Sequence, residues 1–163
     1  YPGPVAVRYP RGSAYMGMKR FRAPILYGES EMLYEEAGIA LLFVGHMASL
    51  ANDIRGELKR GGMGCSLVNA RFVKPLDTNM LEYLAETHNL FVTIEENVIA
   101  GGFGSQVLDY VSQAGLPVKV LRIGILDQYV EHGNVEALRR KVGLEKDAAV
   151  RRIMDAYTGD VSG

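Results

Sequence analysis

From Ile39 onward the sequence alternates short, wholly apolar runs with segments whose apolar residues recur every three or four positions. The runs are Ile39–Val44, Cys65–Val73, Leu90–Ile94 and Pro117–Ile123. A run apolar at successive positions suits a strand covered on both faces, because neighbouring side chains on a strand point to opposite sides. Between the runs, Leu50, Ile54 and Leu58 share one helical face, and so do Met80, Leu81 and Leu84, and then Val107, Leu108 and Val111. Gly61-Gly62 ends the first helix, and Asp77 after Pro75 is placed to cap the second. Two short helices are expected over Val135–Val142 and roughly Lys146–Tyr157. Strand and helix in this alternation predict an α/β fold: an open, mostly parallel sheet with helices on both faces. Ser30–Gly38, with Met32 and Leu33 among acids, reads as an edge strand that can run antiparallel.

Length and charge narrow what such a fold can do. At 163 residues the chain forms one domain of ordinary size and buries roughly 68–70% of its unfolded surface. Eighteen basic residues against 19 acidic leave a net charge of −1, which argues against a nucleic-acid partner. Apolar runs as short as Ile39–Val44 exclude a helical membrane span. Cys65 is the only cysteine, so no internal disulfide forms, consistent with a reducing compartment. Set between Gly64 and Ser66, it reads as a small strand residue rather than a reactive thiol. The opening Tyr1-Pro2-Gly3-Pro4 reads like the middle of something longer. The β-prone Val5–Tyr9 is expected to be the last strand of a preceding domain. Residues 1–22 are assigned to that domain's end and a linker draped over a surface. Residues 23–157 are assigned to the α/β domain, and 158–163 to a flexible tail.

Three segments carry chemistry. In Arg8-Tyr9-Pro10-Arg11-Gly12 two arginines stand three apart around a proline that favours extended backbone. On an extended chain they face opposite ways, so one can face a neighbouring domain and the other a pocket, where a guanidinium fork suits phosphate oxygens. The alternative is a pair of surface arginines anchoring a linker. In Thr93-Ile94-Glu95-Glu96-Asn97, two acids stand at a strand's carboxyl end, where open α/β sheets place their sites. The Gly101-Gly102-Phe103-Gly104-Ser105 turn that follows enters a helix and can bind an anion through its amides. Alternatively, the glycines permit close packing and Glu95 or Glu96 pairs across an interface. Third, His46 lies at a strand-to-helix turn, His88 at a helix end, and His132 in a loop before a helix. None has partners at metal-ligand spacing, and no catalytic triad can be nominated.

The strings Arg8–Gly12, Arg71-Phe72-Val73-Lys74-Pro75-Leu76-Asp77, Glu95-Glu96-Asn97 with Gly101–Ser105, Ile123-Gly124 and Glu131-His132-Gly133, in this order, resemble the carboxy-terminal end of the 1-deoxy-D-xylulose-5-phosphate synthase family. The resemblance spans essentially the whole chain. It implies a thiamine-diphosphate-dependent transferase of transketolase type that condenses pyruvate with glyceraldehyde 3-phosphate and releases carbon dioxide. The product would feed isoprenoid, thiamine and pyridoxal phosphate synthesis in the cytoplasm. Thiamine diphosphate and Mg2+ would be held by the N-terminal and middle domains, the partners of this chain in the same enzyme. No Gly-Asp-Gly with a downstream Asn, the family's diphosphate and metal motif, occurs here. The resemblance therefore assigns this chain no catalytic, cofactor-binding or metal-binding residue. Of the substrate residues it carries over only Arg11, for the phosphate of the aldehyde substrate; Arg8 becomes structural. It further implies a homodimer, with Gly101–Ser105 a candidate contact, and a fragment that packs but does not catalyse. Two other readings stay open: the end of a transketolase or a 2-oxo-acid dehydrogenase E1 β-subunit, and a stand-alone α/β binding or regulatory module.

Overall fold

A computed structural model of the chain describes residues 2–7, 9 and 15–159. Five strands form one sheet: β1 (Glu31–Tyr34), β2 (Gly38–Phe43), β3 (Cys65–Asn69), β4 (His88–Val98) and β5 (Lys119–Ile125). Their order is β1-β3-β2-β4-β5. β1 runs antiparallel to β3 at one edge, and every other pair is parallel. Both the parallel sheet and the antiparallel edge expected from the sequence are present.

Alternation along β2 divides the core in two. Ile39, Leu41 and Phe43 face α1 (Ala48–Arg60) and α5 (Lys146–Thr158), in one cluster with Ala51, Ile54, Leu58, Ala149 and Ile153. Ala40 and Leu42 face α2 (Thr78–Ala85) and α3 (Phe103–Ala114), with Leu81, Leu84, Phe103 and Val107. Each Leu, Ile, Val or Phe side chain among these, fully buried, contributes on the order of 1.5–3 kcal/mol. Asp77 caps α2 as its position suggested, accepting from the Met80 amide at 3.1 Å.

The structure corrects several finer expectations. In α1 the buried stripe is Ala51, Ile54 and Leu58, continued by Met47 from the preceding turn, while Leu50 is only half-buried. In α3, Leu108 is exposed, and Phe103, Val107 and Val111 carry the apolar face. β3 stops at Asn69 rather than Val73, because Arg71 takes a left-handed φ of 55° and turns the chain out of the sheet. β4 is longer than expected and includes Glu95 and Glu96, since β5 keeps pairing with it past the end of β2, with Val98 opposite Ile125. Val5, Val7 and Tyr9, in the stretch assigned to a preceding domain, are exposed. His88 is not at a helix end but opens β4 and is buried.

Candidate functional site

β2 is flanked by β3 on one side and β4 on the other, so the chain changes direction across the sheet at the carboxyl end of β2. Open α/β sheets place ligand sites at such a switch point. Here two groups of residues meet it: the Gly45–Met47 turn leaving β2, and the last residues of β4. Buried Met47 anchors the turn, and Gly45 supplies its left-handed φ of 60°. His46 is thereby left exposed beside β4.

The two adjacent acids of β4 point to opposite faces. Glu96 lies on the α1 side, where its carboxyl is bonded by His46 Nε2 and by Arg139 of α4 (Val135–Lys141). Arg139 Nη2 donates to Glu96 Oε2 at 3.0 Å, and Nε donates to Oε1, a bidentate fork. The Arg139 guanidinium holds the Glu96 carboxyl below the usual carboxylate range; partial burial opposes this, and His46 reinforces it. Arg139 is raised in turn by Glu96.

Glu95 lies on the α3 side and is 1% exposed. It accepts the Phe103 amide at 2.9 Å and the Gly104 amide at 2.8 Å. These are free N–H groups of the first turn of α3, where a negative group is also favoured by the helix dipole. The glycine-rich turn is built around this contact. A Cβ on Gly102 would lie 2.4 Å from Glu95 Oε2 and 2.6 Å from the Val98 carbonyl oxygen, and one on Gly104 would lie 2.4 Å from Thr93 Oγ1. The anion that the turn binds is therefore Glu95 itself. Each acid finds partners within the chain.

The other nominated residues divide clearly. Arg8 and Arg11 lie outside the described residues. His132 is exposed in the loop before α4, where the neighbouring Asn134 caps the helix through the Glu136 and Ala137 amides at 3.0 and 3.3 Å. His88 is held structurally, its Nδ1 2.8 Å from the Leu84 carbonyl and its Nε2 2.9 Å from Ser66 Oγ. Cys65 is fully buried and its thiol is pushed up to about 12 by burial, so it is a core residue. Among the described residues, no group of three or more His, Cys, Asp or Glu could hold a metal ion, and no helix is long and apolar enough to cross a membrane. The reading from sequence missed Arg139, whose one available signal was its place in a basic last helical turn. It also missed the part played by Arg71, quoted only as the start of a family string.

This architecture, with the chemistry of its switch point turned inward on the chain, is that of a known domain family. Residues 28–148 match the model of the transketolase C-terminal domain, and the chain belongs to that family. The relatives it matches are more particular. It is 41% identical, over 94% of its length, to 1-deoxy-D-xylulose-5-phosphate synthase of Lachnoclostridium phytofermentans, and 38% identical over 97% to that of Acidobacterium capsulatum. The chain spans about a quarter (25%) of the length of those relatives. Among solved structures it is similar to a split-gene transketolase, described as an inactive β4 tetramer, at 27% identity and a TM-score of 0.76 over 82% of this chain and 44% of that one. It shares the fold of Campylobacter jejuni transketolase, at 18% identity and a TM-score of 0.55 over 78% of this chain and 18% of that one.

Proposed function

We propose that the chain is the C-terminal part of a 1-deoxy-D-xylulose-5-phosphate synthase, a cytoplasmic enzyme that condenses pyruvate with glyceraldehyde 3-phosphate and releases carbon dioxide. The observation that carries this reading is the extent of the match: relatives of that one name align over 94–97% of the chain at 38–41% identity. The likeness to the split-gene transketolase is weaker, at 27% identity over 82% of the chain, so the transketolase reading ranks second. In this proposal the preceding domains hold thiamine diphosphate and Mg2+. Residues 1–22 are the end of the middle domain and a linker, residues 23–157 form the C-terminal domain, and two copies of the whole enzyme make a homodimer. The domain's own contribution is packing and assembly, a role consistent with strand-end acids that are already engaged by its own helices.

One residue of the chain reaches substrate in this reading. Arg11 binds the phosphate of glyceraldehyde 3-phosphate, for which a guanidinium offers two parallel donors and a charge that persists at any working pH. Losing a charged hydrogen bond of this kind costs about 1.5–3 kcal/mol, or roughly 10- to 150-fold in affinity. In the full-length enzyme Arg11→Ala raises KM for the phosphorylated aldehyde by that factor and leaves KM for pyruvate unchanged. With an unphosphorylated aldehyde acceptor, wild type and variant perform alike. Equal impairment with both acceptors would make Arg11 structural.

A further inference from the structure

Large apolar side chains left exposed are not spread evenly over the domain. Among the described residues from 23 on, Tyr83, Leu108, Val135 and Met154 lie singly on helices, which is ordinary for a folded surface. The rest gather in two groups: Ile25, Leu26 and Tyr27 with Val73, and Leu126 with Tyr129. Val73 lies in the connection leaving β3 and Leu126 in the one leaving β5, and β2 to β5 all run parallel. Both groups therefore stand at the carboxyl ends of the parallel strands. At the amino ends, the connections 35–37, 61–64, 86–87 and 115–118 leave no large apolar side chain exposed.

The first group is held at that end by ordered contacts. Arg71 and Glu31 form a largely buried ion pair of 2.6 Å and clamp the backbone of Ala23-Pro24. Arg71 Nη1 donates to the Pro24 carbonyl at 2.9 Å, Arg71 Nη2 donates to the Ala23 carbonyl at 3.1 Å, and the Ala23 amide donates to Glu31 Oε1 at 3.2 Å. The Tyr27 ring meets Phe72 edge-on at 5.7 Å between centroids. The next residues after the clamp thus present three apolar side chains to water from a fixed backbone, an arrangement that is unfavourable until something covers it. The ends of β3 and β5 are separated by β2 and β4, three strand spacings or roughly 14 Å. A surface of the size usual between domains, about 600–1,500 Å², reaches both groups at once.

We infer that the carboxyl end of the sheet, from Tyr27 and Val73 across to Leu126 and Tyr129, is the face on which the preceding domains of the same polypeptide dock. The occupant rests on the function proposed above: the chain spans 25% of its relatives' length, which leaves three quarters for the preceding domains. A tether favours that occupant over a second copy of the chain. Upstream domains are joined covalently to Ile25–Tyr27 and meet the face at an effective concentration in the millimolar range, whereas a second copy loses translational and rotational freedom to reach it. The chemistry of the face asks for an apolar partner surface that receives the two tyrosine rings and leaves their hydroxyls at a polar rim. Docking there covers the switch point, which lies between the two groups.

The test is hydroxyl-radical footprinting of the full-length enzyme, read by mass spectrometry, with each residue compared with itself in the urea-unfolded enzyme. Tyr27 and Tyr129 are 82% and 93% exposed on the domain, so without docking they should be labelled almost as in the unfolded chain. Docked, they should be labelled about tenfold more slowly, as expected at the water-excluded core of an interface. Leu108 and Met154, on α3 and α5, should keep the labelling that their partial exposure gives. Val73→Asp combined with Leu126→Asp places charge on the face at two exposed positions and should restore labelling of both tyrosines. Free labelling of Tyr27 and Tyr129 in the wild-type enzyme overturns the docking face, and so does protection that the double variant leaves intact. Protection that vanishes on dilution to monomers assigns the face to a second copy and overturns the upstream domains as occupant; protection that persists in monomers supports them. Condensation of pyruvate with glyceraldehyde 3-phosphate is assayed on the same preparation. A protected but inactive enzyme refutes the proposed function and leaves the docking face standing, whereas an active enzyme with freely labelled tyrosines refutes the face alone.

Discussion

Glu95 and Glu96 are neighbours in sequence and identical in chemistry, yet they serve opposite faces of the sheet in different ways. Glu95 is enclosed, accepts two helix amides, and is so closely surrounded that Gly102 has no room for a methyl group. Glu96 is partly open to solvent and holds two cationic or ionisable side chains from distant segments, His46 and Arg139. The strand's period of two separates them, and burial then sets their energetic weight. A buried acceptor of backbone amides is costly to disturb, whereas a half-exposed ion pair is screened by water and contributes little. The contrast teaches that a pair of acids at a strand end can be structural twice over, once through the backbone and once through side chains.

The strongest way to break this contrast is Gly102→Ala. The added Cβ meets a buried carboxyl oxygen at 2.4 Å and a backbone oxygen at 2.6 Å, neither of which can move away freely. Overpacking typically costs about 1–3 kcal/mol, and contacts this short put Gly102→Ala at the upper end, read by urea denaturation. Gly101→Ala is the control. It has open space around its Cβ but a φ of +71°, so it should cost only the left-handed penalty of about 1–2 kcal/mol. If the two variants cost the same, crowding around Glu95 is not what fixes the turn.

Glu95→Gln sharpens the contrast at intermediate size. Glutamine keeps one acceptor but turns an NH2 group towards a helix amide, so one buried donor loses its partner. That costs about 1–3 kcal/mol. A variant as stable as wild type would mean that the Phe103 and Gly104 amides do not depend on the carboxyl group.

The separation between what the sequence disclosed and what it concealed follows physical lines. The strand and helix alternation was legible because burial on two faces writes a run such as Ile39–Val44 into adjacent positions. The face of α1 carrying Ile54 and Leu58 was legible too, but the place of Ala51 on it was not. Small Ala51 contributes to the core as much by fitting as by hydrophobicity, while Leu50 stood out for its size and is only half-buried. At the switch point the residues His46, Glu95 and Glu96 were legible as candidates, but their roles depend on register. Nothing in Glu95-Glu96 alone says which acid meets α3. The clamp on Ala23-Pro24 was not legible, because it joins residues 47 and 48 positions apart in sequence through backbone carbonyls. A contact made to main-chain groups leaves no pattern in the side chains of the segment it holds. Arg11 lies in a string the sequence singled out; its proposed role is carried by resemblance, and the kinetics of Arg11→Ala are its test.

The smallest effect belongs to Glu96, and its pH dependence identifies it. The folded protein holds this carboxyl below its ordinary value of 4.5, chiefly through Arg139. A group whose pKa falls on folding stabilises the folded state at pH above the unfolded value, and the contribution disappears as pH drops through the folded value. Glu96→Gln should therefore cost about 1 kcal/mol or less at neutral pH, as expected for a half-exposed pair. The difference from wild type should stay constant down to roughly pH 5 and shrink below 4.5, as the wild-type carboxyl takes up its proton. Denaturation midpoints of both proteins at pH 7, 5, 4 and 3 measure this, with Arg139→Gln as the partner variant. The pair variant Glu96→Gln with Arg139→Gln should cost less than the two single changes added together, because the fork is shared. A cost for Glu96→Gln that persists undiminished at pH 3 would mean that packing, rather than charge, holds this residue, and the two acids of β4 would then be alike after all.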